Sequence, residues 1–336
     1  MGAELIMMRN LTTAITNGID RVFMDFLDQG PGSLPELPPE APMVFGDVAD
    51  LSPEFSWGFD LLDYLDRGGA RVLRVSAGPR AALAAVDASV VKVAETAAGP
   101  VVGLKAAVVE RSDSVYVGIV GPFLKLIRIP PHRWGASPSA VRDEFRLFER
   151  SVQLWVSKNT RDHIILFDGT LTVSPDRCGA LMSEAVEEAG GHGNIVMAFA
   201  KETSLASALA LLRTLGEPPC VLEITQAVGR FWSGLRPLGS TYAAVLSNTL
   251  FPVRAETYPS ERALEGFSKL LASDALRYGY PETLVLAHLY AGFSWLEVVA
   301  ARQALQGGAR SRLADLLSPR EAILSPFERE PCEDPS

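Results

Sequence analysis

Ile164–Val173 reads IILFDGTLTV, and its first half is a buried strand that ends on a charge. Four apolar residues lead into Asp168, and Gly169 follows at once. A short apolar run closed by glycine is the pattern of a strand inside a sheet. Its terminal carboxylate has two readings. Asp-Gly is a common turn dipeptide, in which case the acid simply ends the strand. Alternatively, the acid faces a partner that compensates its charge where water is scarce. The choice depends on what the rest of the chain brings to the same spot.

Upstream, LAAVDASVVKV, PVVGLKAAVVE and SVYVGIVGPFLKLI are strand-like runs with short turns, an antiparallel meander. SPSAVRDEFRLFERSVQLWVSK then reads as a helix with Val141, Phe145, Phe148, Val152 and Trp155 as its apolar stripe, and with Ser137 or Ser139 as its cap. After residues 164–168 the chain alternates. Helices near 177–188 and 204–214 precede the strands NIVMAFA and CVLEIT. The runs TYAAVLS and LFPVRAETY lead to helices near 260–274 and 281–306. Three strands, a helix, then alternation define an α/β fold with a mixed sheet. In that order the first and fourth core strands can lie side by side. Asp87, inside AAVDASVV with apolar residues on both sides and no turn signal, then meets Asp168. Two buried carboxylates that close resist ionisation unless a cation sits between them, and oxygen ligands of this kind suit Mg²⁺ or Mn²⁺.

Three other residue types bear on that spot. Glu149 lies at one margin of the helix stripe and Glu144 at the other, and periodicity does not choose between them; either also reads as a solvated helix glutamate. His288, four residues after Leu284 and seven before Trp295, falls on the inward face of the last helix, as a metal ligand or as a core histidine. Lys201 directly follows the strand NIVMAFA, where a cation holds a phosphate or is an ordinary loop lysine.

Composition narrows the classes. The chain has 336 residues, 48% hydrophobic and 21% charged, enough for one large domain or a core with extensions. No stretch offers eighteen uninterrupted apolar residues, and the start lacks a basic n-region, so no membrane span or signal peptide is expected. Three scattered cysteines suit a reducing, cytoplasmic setting. A net charge of -9 excludes generic binding of polyanions, so any nucleic acid needs a local groove, a metal or a partner. Residues 1–28 form an amphipathic helix, with Leu5, Met8, Leu11, Ile15, Ile19, Phe23 and Phe26 on one face, read as core packing or as an interface. Five prolines in residues 29–42 make a linker, residues 29–80 are peripheral, and 308–336 form a proline-rich acidic tail.

The ordered set AAVDAS, FERSVQLW, LFDGTL, AFAKETS, FPVRAETY and GYPETLVLAH resembles the NurA nuclease family, DNA-end nucleases that work with the HerA hexameric translocase. The resemblance spans roughly residues 80 to 300. It implies an RNase H-like mixed sheet flanked by helices over residues 81–307, with an N-terminal helical extension, and a homodimer through which DNA passes. Carried onto this chain, the family's metal ligands are Asp87, Glu149, Asp168 and His288; the nineteen-residue interval from Glu149 to Asp168 favours Glu149 over Glu144. Lys201 and Arg254 are the implied DNA contacts. The implied activity is phosphodiester hydrolysis assisted by one or two Mn²⁺ or Mg²⁺ ions, as a single-strand endonuclease and 5′–3′ exonuclease in DNA-end resection. The chain departs from the family's Val-Asp-Gly-Ser at Ala88, which weakens the site if that position needs positive φ or close approach. An inactive NurA-like scaffold is the competing reading. An actin-like or sugar-kinase ATPase is disfavoured, because VDASVV lacks the glycine of a phosphate loop.

The N-terminal helix gives the first prediction. Deleting residues 1–28 is expected to leave metal binding intact and to weaken dimerisation or HerA association, because a short helix gains little alone. Light scattering of the truncated protein, with and without HerA, checks this; an unchanged dimer with full HerA affinity returns the helix to a core role.

Overall fold

The computed structural model describes residues 72–96, 99–128, 137–200, 217–226, 236–248 and 253–308. The N-terminal helix, the proline-rich linker, Lys201, the helix expected near 204–214 and the acidic tail lie outside the described residues.

Among the described residues, nine strands form one mixed sheet in the order β1 (Val72–Arg74), β8 (Cys220–Glu223), β10 (Ser240–Val245), β11 (Val253–Tyr258), β7 (Ile195–Ala200), β5 (Ile164–Asp168), β2 (Leu83–Thr96), β3 (Gly99–Arg111) and β4 (Val115–Leu126), while β6 (Thr172–Val173) and β9 (Arg236–Pro237) pair with each other outside it. At one edge lies the expected meander of β2 (Leu83–Thr96), β3 (Gly99–Arg111) and β4 (Val115–Leu126). Helix α1 (Ser137–Asn159) then returns the chain to β5 (Ile164–Asp168), which pairs parallel with β2. A second helix, α2 (Arg177–Gly191), leads to β7 (Ile195–Ala200), parallel to β5. The far side is antiparallel, through β11 (Val253–Tyr258), β10 (Ser240–Val245), β8 (Cys220–Glu223) and β1 (Val72–Arg74).

Burial follows the period of two expected of a sheet covered on both faces. Leu83, Ala85, Ile164, Leu166, Met197 and Phe199 pack on one face against Phe267 and Leu270 of α3 (Ala263–Ser273) and Leu284 and Ala287 of α4 (Glu282–Ala291). Ala84, Val86, Ala88, Ile165 and Phe167 pack on the other, against Val152 and Val156 of α1 and Met182 and Val186 of α2. Asp87 and Asp168, in step with Leu83 and Leu166, therefore belong to the α3–α4 face.

The helix expected over 281–306 is broken. Gly292 leaves the helical region with ψ 142, and α5 (Trp295–Gly308) starts afresh. The restart is a capping box: Ser294 Oγ accepts from Glu297 N (3.2 Å), and Glu297 Oε2 accepts from Ser294 N (2.7 Å). Glu282–Leu305 is long and apolar enough to cross a membrane by composition, but the break divides it into helices of 10 and 14 residues. Each is shorter than the roughly 20 residues a span requires.

A charged pair fixes where β5 begins. His163 Nδ1 faces Arg161 O (2.6 Å) and Nε2 faces Glu110 Oε1 on β3 (3.4 Å). With an acceptor at each ring nitrogen, the imidazolium is favoured. The Glu110 hydrogen bond raises the His163 pKa against the opposing effect of burial, and His163 in turn lowers that of Glu110. The raised His163 value contributes stability that is full below pH 6.5 and is lost as pH rises from there through the raised folded value. The lowered Glu110 value contributes fully above pH 4.5, and the contribution is lost as pH falls from there through the lowered folded value. The pair is therefore at full strength between these limits. The melting-temperature gap between wild type and His163→Gln is expected to be widest between pH 4.5 and 6.5 and to shrink at alkaline pH. A gap independent of pH would contradict this.

Candidate metal centre

Parallel pairing carries β2 and β5 in the same direction, with Val86 opposite Phe167 as the last registered pair. Asp87 and Asp168 come one residue later on each strand, so they stand side by side where β5 ends and β2 runs on beside β3. Asp168 completes β5 because Gly169 turns away at φ +100, a conformation that suits glycine, while its N–H bonds Phe199 O at 2.9 Å. The Asp-Gly pair thus makes both the turn and the site.

Helix α4 brings the third residue. Ligand atoms of Asp87, Asp168 and His288 all lie within 4.8 Å of one another. Asp87 is 5% exposed. Its Oδ1 accepts from Ala88 N (2.8 Å), and its Oδ2 is 2.7 Å from His288 Nδ1. A carboxylate oxygen accepts, so the His288 Nδ1–H is the donor of this bond. The His288 side chain is 60% exposed, so the histidine reaches the centre from the solvent side rather than from the core. Tyr280, 8% exposed, donates its hydroxyl to Asp168 Oδ1 (2.9 Å) and packs edge-on against Phe199. Two adjacent carboxylates, each oriented by a donor, and one imidazole held against Asp87 are a donor set suited to a divalent cation.

The structure gathers three of the four ligands expected from the sequence. Glu149 is not in the group: α1, which carries it, packs on the opposite face of the sheet, and its carboxylate lies 3.6 Å from the Arg150 guanidinium. Glu144 pairs with Lys125 on β4. Arg254 is 6% exposed, and its Nε lies 3.3 Å from Glu256 on that opposite face. Ala88 sits in regular strand opposite Ala106, with its methyl in the α1–α2 core, so β2 needs no glycine at this position.

Two residues escaped the sequence reading as individuals. Tyr280 lies within GYPETLVLAH, where a buried tyrosine hydroxyl already calls for a partner. Glu256, 2% exposed, organises the loop beyond Asp168. Its Oε1 accepts from Thr170 Oγ1 (2.7 Å), and its Oε2 from Leu171 N (2.8 Å) and Thr172 Oγ1 (3.2 Å).

No protein-family profile matches the sequence, and no curated protein matches it. Solved structures do share its fold. A mixed sheet flanked by helices, with carboxylates on two parallel neighbours, is RNase H-like. Solved NurA structures are among those that share this fold. The NurA nuclease from Sulfolobus solfataricus matches at TM-score 0.50 and 13% identity, over 75% of this chain and 93% of that one. A further NurA structure matches at TM-score 0.51 and 13% identity, over 75% and 96%. NurA bound to dAMP and manganese matches at TM-score 0.50 and 13% identity, over 75% and 94%.

Glu256→Ala removes the acceptor for three donors and strands Arg254 in the sheet. Urea unfolding is expected to show a loss of about 3–5 kcal/mol, the cost of breaking a buried charged pair. A loss below about 1 kcal/mol, the net worth of a single ordinary hydrogen bond, would show that the loop holds without it.

Proposed function

We propose that the chain is a divalent-metal-dependent deoxyribonuclease of the NurA type. The observation that carries this reading is the convergence of Asp87, Asp168 and His288 within 4.8 Å on a fold shared with NurA. The similar NurA bound to dAMP and manganese supports a nucleotide substrate and Mn²⁺ as the ion.

In this reading Asp87, Asp168 and His288 hold one or two ions of Mn²⁺ or Mg²⁺. Such an ion supplies Lewis acidity toward a phosphodiester oxygen and acidifies water at the site. Asp87 and Asp168 provide the negative charge, and Tyr280 fixes the Asp168 carboxyl through its Oδ1. Asp87 orients the imidazole of His288. Gly169, with no side chain at the turn, leaves room for a phosphate backbone beside Asp168. Lys201 contacts that phosphate. Glu149 and Arg254, on the other face, support the sheet that carries the centre.

The biological setting follows from the NurA resemblance: a homodimer in DNA-end resection that a HerA-type hexameric translocase supplies with DNA. A net charge of -9 supports delivery by a partner, since the surface as a whole repels a polyanion.

Asp87→Asn and Asp168→Asn preserve shape and remove one charge each. Both variants are expected to stay folded by circular dichroism, to lose Mn²⁺ binding, and to cut single-stranded DNA more than about 100-fold slower, because the remaining ligands no longer balance the ion. His288→Ala should lose activity at ordinary Mn²⁺ and regain part of it at high Mn²⁺, with an unchanged melting temperature. Wild-type protein whose cleavage survives EDTA, or an Asp87→Asn variant with full activity, would refute the reading.

A further inference from the structure

Lys105 stands in the apolar run GLKAAVVE of β3 and is 7% exposed. A buried ammonium is costly unless its donors are met. Each contact found for it lies at the break between α4 and α5. Its Nζ donates to Gly292 O (2.9 Å), pairs with Glu297 Oε1 (2.7 Å) and lies 5.7 Å from the centre of the Phe293 ring. Ser89, directly opposite Lys105 on β2, donates to Ala291 O at 2.5 Å. Two strand side chains thus take two of the carbonyls that a helix end leaves without partners, and the cation sits where the helix dipole is negative.

Two further observations show that this seat is built rather than incidental. Gly103, two residues before Lys105 on β3, lies under Phe293, whose ring atoms would be 3.1 Å from a Cβ there. Glu297 uses its other oxygen, Oε2, to cap α5 through Ser294 N, so one carboxylate both starts α5 and binds the lysine.

The seat lies next to the metal centre. Asp87 is two residues before Ser89 on the same face of β2, and Gly292 N donates to His288 O (3.1 Å). The other end of α4 is also held to β3: Arg111 pairs with Glu282 (2.8 Å), and Asp274 accepts from Thr283 N (3.1 Å) and Oγ1 (2.9 Å). The helix is therefore fixed at both ends, and its last turn carries His288.

We propose that Lys105 is a positioning residue for His288: by clamping the α4–α5 break to β3, it sets where the imidazole meets Asp87. The proposal rests on the metal-centre reading for its purpose. Apolar contacts seat a helix but tolerate rotation and sliding, whereas a ligand must be held to within about 0.5 Å. A cation that grips a main-chain carbonyl at the helix end removes that freedom.

The test uses the full chain with Lys105→Met, which keeps length and loses charge, and Lys105→Arg, which keeps charge. Hydrogen exchange of the metal-free proteins over residues 286–294 reads the clamp. Mn²⁺ titration calorimetry, corrected for the folded fraction, reads its consequence. Lys105→Met is expected to exchange faster at Ala291 and Gly292 and to bind Mn²⁺ about 10–100-fold more weakly, the usual cost of losing a residue behind a ligand. Lys105→Arg should recover part of both. Ser89→Ala, which removes one hydrogen bond, gives the same direction at smaller size and serves if Lys105→Met does not fold. A melting temperature that falls while Mn²⁺ affinity per folded molecule stays at the wild-type value would overturn the proposal and leave the lysine a purely structural role. Wild-type protein that binds no Mn²⁺ would overturn the metal-centre reading, and the ligand-positioning proposal with it. In that event wild-type exchange rates in Lys105→Met would reject the clamp itself as well.

Discussion

The parallel pairing of β2 with β5 is the constraint on which the centre depends. Parallel neighbours run the same way, so the residues one step past the last registered pair on each strand lie side by side. Here those residues are Asp87 and Asp168, and the period of two sends both to one face. In an antiparallel pairing through the same Val86–Phe167 pair, the two acids would leave it in opposite directions. Proximity then creates the electrostatic problem that defines the site. Asp87 is buried and Asp168 half-buried, and Ala88 N, Tyr280 and His288 are among the donors aimed at them. Donors relieve the repulsion; a divalent cation would neutralise it.

The two faces of the sheet divide the work. On the α3–α4 face the acids and His288 form the centre, and α4 is held to β3 at both ends. On the α1–α2 face Glu256 and Arg254 form a buried pair whose acid gathers Thr170, Leu171 and Thr172. These are the residues that follow Asp168. The loop leaving β5 is therefore anchored through the sheet to the face behind it, and the acid stands between two fixed structures. Burying a charged pair is seldom a source of net stability. Its placement here makes geometric sense, since a loop held by three hydrogen bonds to one carboxylate has little freedom to draw Asp168 out of line.

What could be read from the sequence follows the range of the interactions. The strands of Asp87 and Asp168 were legible because an acid inside or directly after an apolar run conflicts with its surroundings. The meander, α1, α2 and the last strands were legible from periodicity. The break at Gly292 was not, because apolar residues on both sides hide a Ser-x-x-Glu capping box within one long hydrophobic run. Tyr280 and Glu256 were opaque as individuals, since their partners lie 112 and about 85 residues away and only the sheet brings them together. Neither Glu144 nor Glu149 joins the group because α1 covers the opposite face, and spacing along a helix carries no information about that. His288 was placed on an inward face by counting from Leu284; in the structure its side chain reaches Asp87 from the solvent side.

Lys105 shows where the same rule could have been carried further. A lysine in GLKAAVVE is as discordant as an aspartate in AAVDASVV, and both are answered by α4. Asp87 receives the imidazole of His288, and Lys105 receives the carbonyl one turn further along. The strand pair β2–β3 thus presents opposite charges, diagonal to each other on one face, and the helix meets each with the opposite polarity. A helix that slid by one residue, about 1.5 Å, would break both contacts at once. The charges discordant in the sequence are the ones that fix the register of the helix, and the register of the helix decides whether the two acids gain an imidazole.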